Sequence, residues 1–455
     1  MRISGLVTIW NASFAPSLLI FYKAGQVFCL SLLLNPRFVQ VPNIIGTSNM
    51  STGPLHGLRV FDLTRILAGP TCTQILGDLG ADIIKIERPG AGDDTRKFAP
   101  PFLKDDQGKD SNESAYFASA NRNKRSITLD LTQTKGQEIA RKLIAKSDIL
   151  AENFKTGGLS KYGLGYEQLK DEFPGLVYCS ITGFGHTGPY AKRPGYDVLI
   201  QGMGGFMSVT GDPDGDPQKA GIPISDLMAG MYAAVAINAA LRHREVTGQG
   251  QFLDIGMLDT TTAMLSIMGA NYLATGEVPP RLGNAHPNIV PYQSFQTSDG
   301  DIVMAVGNDA QFERFCELAE CTEMLKDDRF ATNGERVRNR DVIIPLLRAI
   351  ILKKPSQFWL EGLQARSVSC GPINRLDQVF ADEQVQAREM QLKMDHPATG
   401  DRPIDLIASP IRMSETPASY RYSPPLLGQH TDEVLRDIGE FSQEEITDFR
   451  AQGII

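Results

Sequence analysis

The sequence predicts an α/β fold: an open sheet of parallel strands flanked by helices, followed by a smaller α+β unit. Three observations carry this. Leu58–Leu63 and Ala81–Glu87 are short apolar runs separated by one helix-length segment, and strand, helix, strand at that spacing makes the two strands parallel. The same alternation continues to Ile181. Leu227–Arg244 then reads as a long Ala/Met/Leu helix, apolar enough to belong to a core.

Taken in order, Leu58–Leu63 is strand-like around Val60 and Phe61. Pro70–Leu79 is helical, opened by Gly69-Pro70, since proline suits a first helical position. Ala81–Glu87 is a β-branched run bounded by Gly80 and Pro89, the punctuation of a strand. Ser126–Leu131 (strand), Thr134–Ser147 (helix), Ile149–Asn153 (strand), Tyr166–Glu172 (helix) and Leu176–Ile181 (strand) continue the pattern. Ligands of such a sheet sit beyond the carboxyl ends of its strands. Between Ile181 and Gly221 the chain is rich in Gly and Pro. Ser225 then offers a natural N-cap, with Asp226 in the first turn of the long helix. Residues 286–370 carry a strand (Ile302–Val306) and helices near Gln311–Leu318 and Asp341–Leu352. The expected division is a large domain over 54–250, a linker over 251–285, a small domain over 286–370, and a return to the large domain over 375–455.

Composition narrows the function. Of 455 residues, 42% are hydrophobic and 22% charged, an ordinary water-soluble balance. The formal net charge of -8 argues against broad nucleic-acid binding, which needs a positive field. The six cysteines form no Cys-x-x-Cys pair and the six histidines are dispersed, so no metal site is expected. Gly183-Phe184-Gly185-His186-Thr187-Gly188 has the spacing of a dinucleotide loop, but Pro189, Pro194 and Gly195 follow it where that motif needs a helix.

Residues 1–49 differ from the rest. No Asp or Glu precedes Asp62, and Ile3–Tyr22 is uncharged. Three readings stay open: a membrane anchor, an organelle transit leader, or a start codon placed upstream of the true one at Met50. A cytoplasmic enzyme is expected, or a mitochondrial one if the source is eukaryotic and the leader is a transit peptide.

Further runs carry a resemblance. Asp62-Leu63-Thr64-Arg65-Ile66-Leu67-Ala68-Gly69-Pro70, Gly80–Gly90, Asn121–Ile127, Glu152-Asn153-Phe154, Tyr196-Asp197, Thr247–Gln251, Gly371–Asn374 and Leu427–Thr431 together resemble the class III CoA-transferases. That is the family of formyl-CoA and carnitine CoA-transferases, and the likeness runs from about residue 54 to 455. Arg88–Arg96, Tyr178–Gly183 and Ile289–Tyr292 are most similar to its dicarboxylate branch.

The resemblance implies a Rossmann-like large domain, with a parallel sheet built from both chain ends, that binds CoA. It also implies a smaller α+β domain, an interlocked homodimer, and CoA as a substrate with no tightly bound cofactor. The expected reaction moves CoA from an acyl-CoA such as succinyl-CoA to a free acid such as glutarate. Asp226 matches the catalytic aspartate, a carboxylate that forms covalent intermediates. Its place at a helix N-terminus favours the anion. Leu67, Ala68, Arg88, Leu129, Asn153, Phe154 and Tyr196 match CoA-pocket positions. Lys161 stands where the family has a phosphate-binding Arg, and Arg96, Lys124 and Arg125 are further phosphate candidates. Gly283 and Ala285 are candidates for the oxyanion donors, and Arg65, His286 and Tyr292 for the distal carboxylate of a diacid.

Two other functions fit the same fold. α-Methylacyl-CoA racemases carry a His–Asp pair where this chain has Tyr196-Asp197, and a tyrosine is a poor base at neutral pH. The other is a non-catalytic acyl-CoA binder.

Overall fold

The structure, a computed structural model, describes residues 19–23, 26–30 and 53–455. The three readings of residues 1–49 lie outside the described residues, apart from an antiparallel pair, Leu19–Lys23 with Gln26–Leu30. That pair belongs to a unit separate from residues 51–455.

The larger unit is built on six strands: β1 (Arg59–Asp62), β2 (Asp82–Glu87), β3 (Lys124–Thr128), β4 (Ile149–Glu152), β5 (Val177–Thr182) and β6 (Phe252–Gly256). All neighbouring pairs are parallel, in the order β6-β5-β4-β1-β2-β3. This is the doubly wound order, in which connections leave to opposite faces on either side of β1 and β4. The loops after β1 and β4 therefore diverge and leave a crevice at their carboxyl ends.

Each sheet face has its own core. On one, α1 (Ala68–Asp78) and α4 (Ile224–Thr247) pack over Val60, Ile83, Val177 and Ile181. The helices touch closely: a Cβ at Gly230 would fall 2.5 Å from the Ala68 carbonyl oxygen. On the other face, α2 (Thr134–Ile144) covers Phe61, Ile84, Leu129 and Leu150. Two C-terminal helices, Thr431–Asp437 and Gln443–Ala451, complete that core with Val434, Leu435, Ile446 and Phe449. Near the chain's end the Ile454 carbonyl accepts from Asp130 N at 2.8 Å. Residues 59–256 and the C-terminal helices thus build the large domain together, but as different layers. The strands all lie within residues 59–256, and the C-terminal stretch returns as helices and a short hairpin, Gln391–Met394 with Ile404–Ile407.

Residues 251–285 are not the expected linker. They supply edge strand β6 and two helices, α5 (Met257–Ala263) and α6 (Ser266–Thr275). The edge position explains why the run Phe252-Leu253-Asp254-Ile255-Gly256 looks weakly strand-like, since only one side of it pairs. The smaller α+β domain follows. Its three antiparallel strands (Tyr292–Gln296, Asp301–Ala305, Ser369–Pro372) and its helices enclose a separate core around Phe295, Phe312, Phe315, Leu347 and Trp359.

Candidate active site

The crevice at the carboxyl ends of β1 and β4 opens into a cavity of about 180 Å³. Its wall includes Arg65, Leu67, Ala68, Asn153, Phe154, Arg193, Tyr196 and Asp226. A second cavity of about 120 Å³ adjoins it, walled by Arg88, Leu129, Asp130, Leu131 and Tyr162. Arg65 and Phe154 belong to both walls, with the guanidinium 5.2 Å from the ring centroid, a cation–π contact.

The loop after β1 is held by polar groups beneath it. Asp62 accepts from Thr64 N and from the Thr64 and Thr73 hydroxyls. Lys85, wholly buried in β2, donates to Thr64 O and to Asp93. Asp93 also accepts from Ile66 N at 3.2 Å, and its carboxyl is held at about 2: burial opposes ionisation, but the Lys85 charge and hydrogen bonds outweigh it. Ile66 needs that grip, because its φ is 68°, a strained value for a β-branched residue. Asn153 spends its side chain on the same loop. Its Oδ1 accepts from Arg65 N at 2.9 Å and its Nδ2 donates to Arg65 O at 2.7 Å. Expected as a CoA-pocket position, Asn153 lines the first cavity and shapes the loop around it.

Asp226 stands in the first turn of α4 and faces the first cavity. Ser225 is not the N-cap. Pro223 occupies that place and has no side chain to cap with, while the buried Ser225 hydroxyl accepts from Thr261. The cap comes instead from α3 (Asp197–Met203), where Asp197 Oδ1 accepts from Ser225 N at 2.9 Å and Asp226 N at 3.3 Å. The amides of that turn are therefore taken by Asp197. Burial first, and the Asp197 charge second, push the Asp226 carboxyl up to about 7.

Sequence reasoning missed Tyr116, whose phenol is pushed up by burial and then by the charges of Asp226, Asp197 and Asp93. It also missed Lys155, Arg193 and Met257 in the cavity wall. No local signal marks them, because they come from loops and an edge helix brought together by the sheet.

Several expected residues lie elsewhere. Arg96 is buried, forked onto Glu87 at 2.8 and 2.7 Å and stacked on Phe117. Lys124 is sealed against Pro70 O and Asp62, and Arg125 pairs with Asp82 and Glu433. These three are structural ion pairs with no free face for phosphate. Lys161 is exposed and lines neither cavity, although its Nζ sits 4.5 Å over the Tyr162 ring that does. Gly283, Ala285, His286 and Tyr292 also lie outside both walls.

The comparisons with known proteins decide the family. CoA-transferase family III matches residues 55–431. The chain belongs to that family. It is 46% identical over 385 residues to a succinate–glutarate CoA-transferase of Agrobacterium fabrum, covering 85% of this chain and 96% of that protein. It is 41% identical over 402 residues to a human succinyl-CoA:glutarate CoA-transferase, covering 88% and 90%. A crystal structure of a CAIB/BAIF family protein from Brucella suis superimposes with a TM-score of 0.74 at 46% identity, covering 85% of this chain and all of that one. As a family III CoA-transferase, the chain is an enzyme that exchanges CoA between an acyl-CoA and a free acid.

Proposed function

We propose that this enzyme moves CoA from succinyl-CoA to a dicarboxylate such as glutarate, with Asp226 as the nucleophile. One observation supports the assignment of Asp226: the residue lines the switch-point cavity together with Leu67 and Ala68, next to the Arg88-walled cavity. The substrates rest on the activities of relatives at 46% and 41% identity.

In this reading a carboxylate oxygen of Asp226 attacks the thioester carbonyl, the C–S bond breaks, and CoA leaves as the thiolate. That leaves a mixed anhydride on Asp226. The thiolate attacks the aspartyl carbonyl, the donor acid departs with its electron pair, and an aspartyl-CoA thioester remains. The acceptor carboxylate attacks that thioester and the steps run in reverse. Arg88 and Tyr162 suit the nucleotide end of CoA, since a guanidinium both stacks and pairs with phosphate. Arg65, Lys155 and Arg193 are the cations available to a distal carboxylate in the first cavity.

We also propose a homodimer. Val198, Leu199 and Met203 of α3, Met231 and Val235 of α4, and Leu273 of α6 are exposed, and large apolar side chains left in water mark interaction surfaces where they group together. A second copy of the chain is the occupant that the self-complementary symmetry of most homo-oligomers supports.

The test of Asp226 is trapping. Mass spectrometry of enzyme quenched with hydroxylamine during succinyl-CoA turnover should find the hydroxamate on Asp226. Asp226→Ala should bind CoA with unchanged affinity and lose at least about 10³-fold in kcat. Exchange of labelled glutarate, but not labelled acetate or formate, into the thioester pool would support the substrates. An adduct on another residue would refute the mechanism.

A further inference from the structure

We infer that Asp197 is a positioning residue for CoA transfer: it fixes the first turn of α4 and sets its own charge against the Asp226 side chain, favouring the acylated aspartyl over the free carboxylate. The inference rests on the reading of Asp226 as nucleophile and goes beyond it.

The geometry starts from a helix that cannot cap itself. The first amides of any helix lack intrahelical acceptors, and neither Pro223 nor the occupied Ser225 hydroxyl serves them. Asp197 crosses from the start of α3 and takes two of these amides on Oδ1. Its Oδ2 accepts from Gln201 Nε2 at 2.6 Å. Gln201 is wholly buried, and its Oε1 accepts from Ala220 N at 2.9 Å. One carboxylate thus ties α3, the loop at Ala220 and the turn that carries Asp226 into one unit.

The backbone leading to Asp197 is fixed as well. Gly183 follows β5 and Gly195 precedes Asp197 by two residues, and they touch main chain to main chain. A Cβ at Gly183 would lie 2.6 Å from the Gly195 Cα, and one at Gly195 would lie 2.5 Å from the Gly183 Cα. The end of the sheet thereby sets where α3 begins.

The electrostatic consequence is specific. A helix N-terminus ordinarily stabilises an anion in its first turn. Here Asp197 occupies the amides and adds a like charge, which acts with burial against the Asp226 carboxylate. Arg65, Lys155, Arg193 and the phenol of Tyr196 face the same cavity, and Tyr116 lies within the field of both carboxylates. Acylation removes the charge on Asp226 and relieves the repulsion. A more basic carboxylate is also the stronger nucleophile.

The experiment is the pH profile of kcat/KM in the full-length enzyme. The wild type should rise to a plateau through an apparent pKa near 7, where Asp226 loses its proton. Asp197→Asn keeps an amide oxygen for the two N–H groups, removes the charge, and gives up the acceptor for Gln201 Nε2. Its acid limb should move down by about half a unit or more, and its plateau should fall roughly 3- to 10-fold. Gln201→Leu alone frees Oδ2 but keeps the charge, so its acid limb should stay within about 0.2 units of the wild type; the double variant with Asp197→Asn, which has no Gln201 N–H to oppose the new amide, serves if Asp197→Asn does not fold. An acid limb unmoved in Asp197→Asn, or in the double variant, with hydroxylamine still trapping Asp226, overturns this inference alone. Trapping on any other residue overturns it together with the assignment of the nucleophile.

Discussion

Asn153 grips the backbone of Arg65 from both sides, accepting from its N–H at 2.9 Å and donating to its carbonyl at 2.7 Å. A side-chain amide here does the work of a missing strand pair, bridging the loops that diverge after β1 and β4. Arg65 and Ile66 line the first cavity, so this bridge shapes the mouth of the site.

Asn153→Ala should therefore act through the loop. Losing two hydrogen bonds to backbone groups costs about 1–3 kcal/mol. The KM for acyl-CoA should rise about tenfold. Asn153→Asp should do no better, because it sets a carboxylate oxygen against the Arg65 carbonyl. Steady-state kinetics on the two variants checks this.

Two arginines of one motif should behave oppositely. Arg88 is half exposed, walls the second cavity and pairs with Asp94. Arg88→Ala should weaken CoA binding roughly 5- to 10-fold and leave the melting temperature alone, because exposed pairs contribute little to stability. Arg96→Ala should strand Glu87 as an unpaired buried charge, at a cost of about 3–5 kcal/mol. Calorimetric titration with CoA and thermal melts separate the two.

Glu152 predicts a pH-dependent stability. Buried at the end of β4 with its carboxyl pushed up to about 7 by burial, it accepts from Phe154 N at 2.7 Å. Between about pH 4.5 and 7 the native state keeps a proton that the unfolded chain has released. Stability must therefore fall as pH rises through that window, by roughly 1–3 kcal/mol in all. Glu152→Gln keeps an acceptor for Phe154 and removes the charge, so its urea midpoint should fall less between pH 5 and 8. Identical pH dependence in the two proteins would contradict the assignment.

The sequence was most informative where the signal is local. Strands β1 to β5 and the helix after β1 follow from apolar runs and Gly/Pro punctuation, and most begin or end within two residues of expectation. Family likeness brought Leu67, Ala68, Asn153, Phe154, Tyr196 and Asp226 to one wall, and Arg88 and Leu129 to the adjoining one. What stayed hidden is pairing across long separations. Arg96, Lys124 and Arg125 look like solvent-facing phosphate ligands until Glu87, Asp62 and Asp82 are seen against them. Ser225 looks like a cap until Asp197 arrives from another helix. Burial decides the charge state of Asp226, and burial is a property of the assembled sheet.

The return of the C-terminal helices has a consequence for synthesis on the ribosome. Leu129, Asp130 and Leu131 wall the second cavity, yet Asp130 N is answered by the carbonyl of Ile454, and Leu129 and Leu131 share a core with Phe449. Translation delivers those partners more than three hundred residues later. The nascent chain thus emerges with this wall of the second cavity half-formed, and its apolar face waits uncovered until the helices over 431–451 follow.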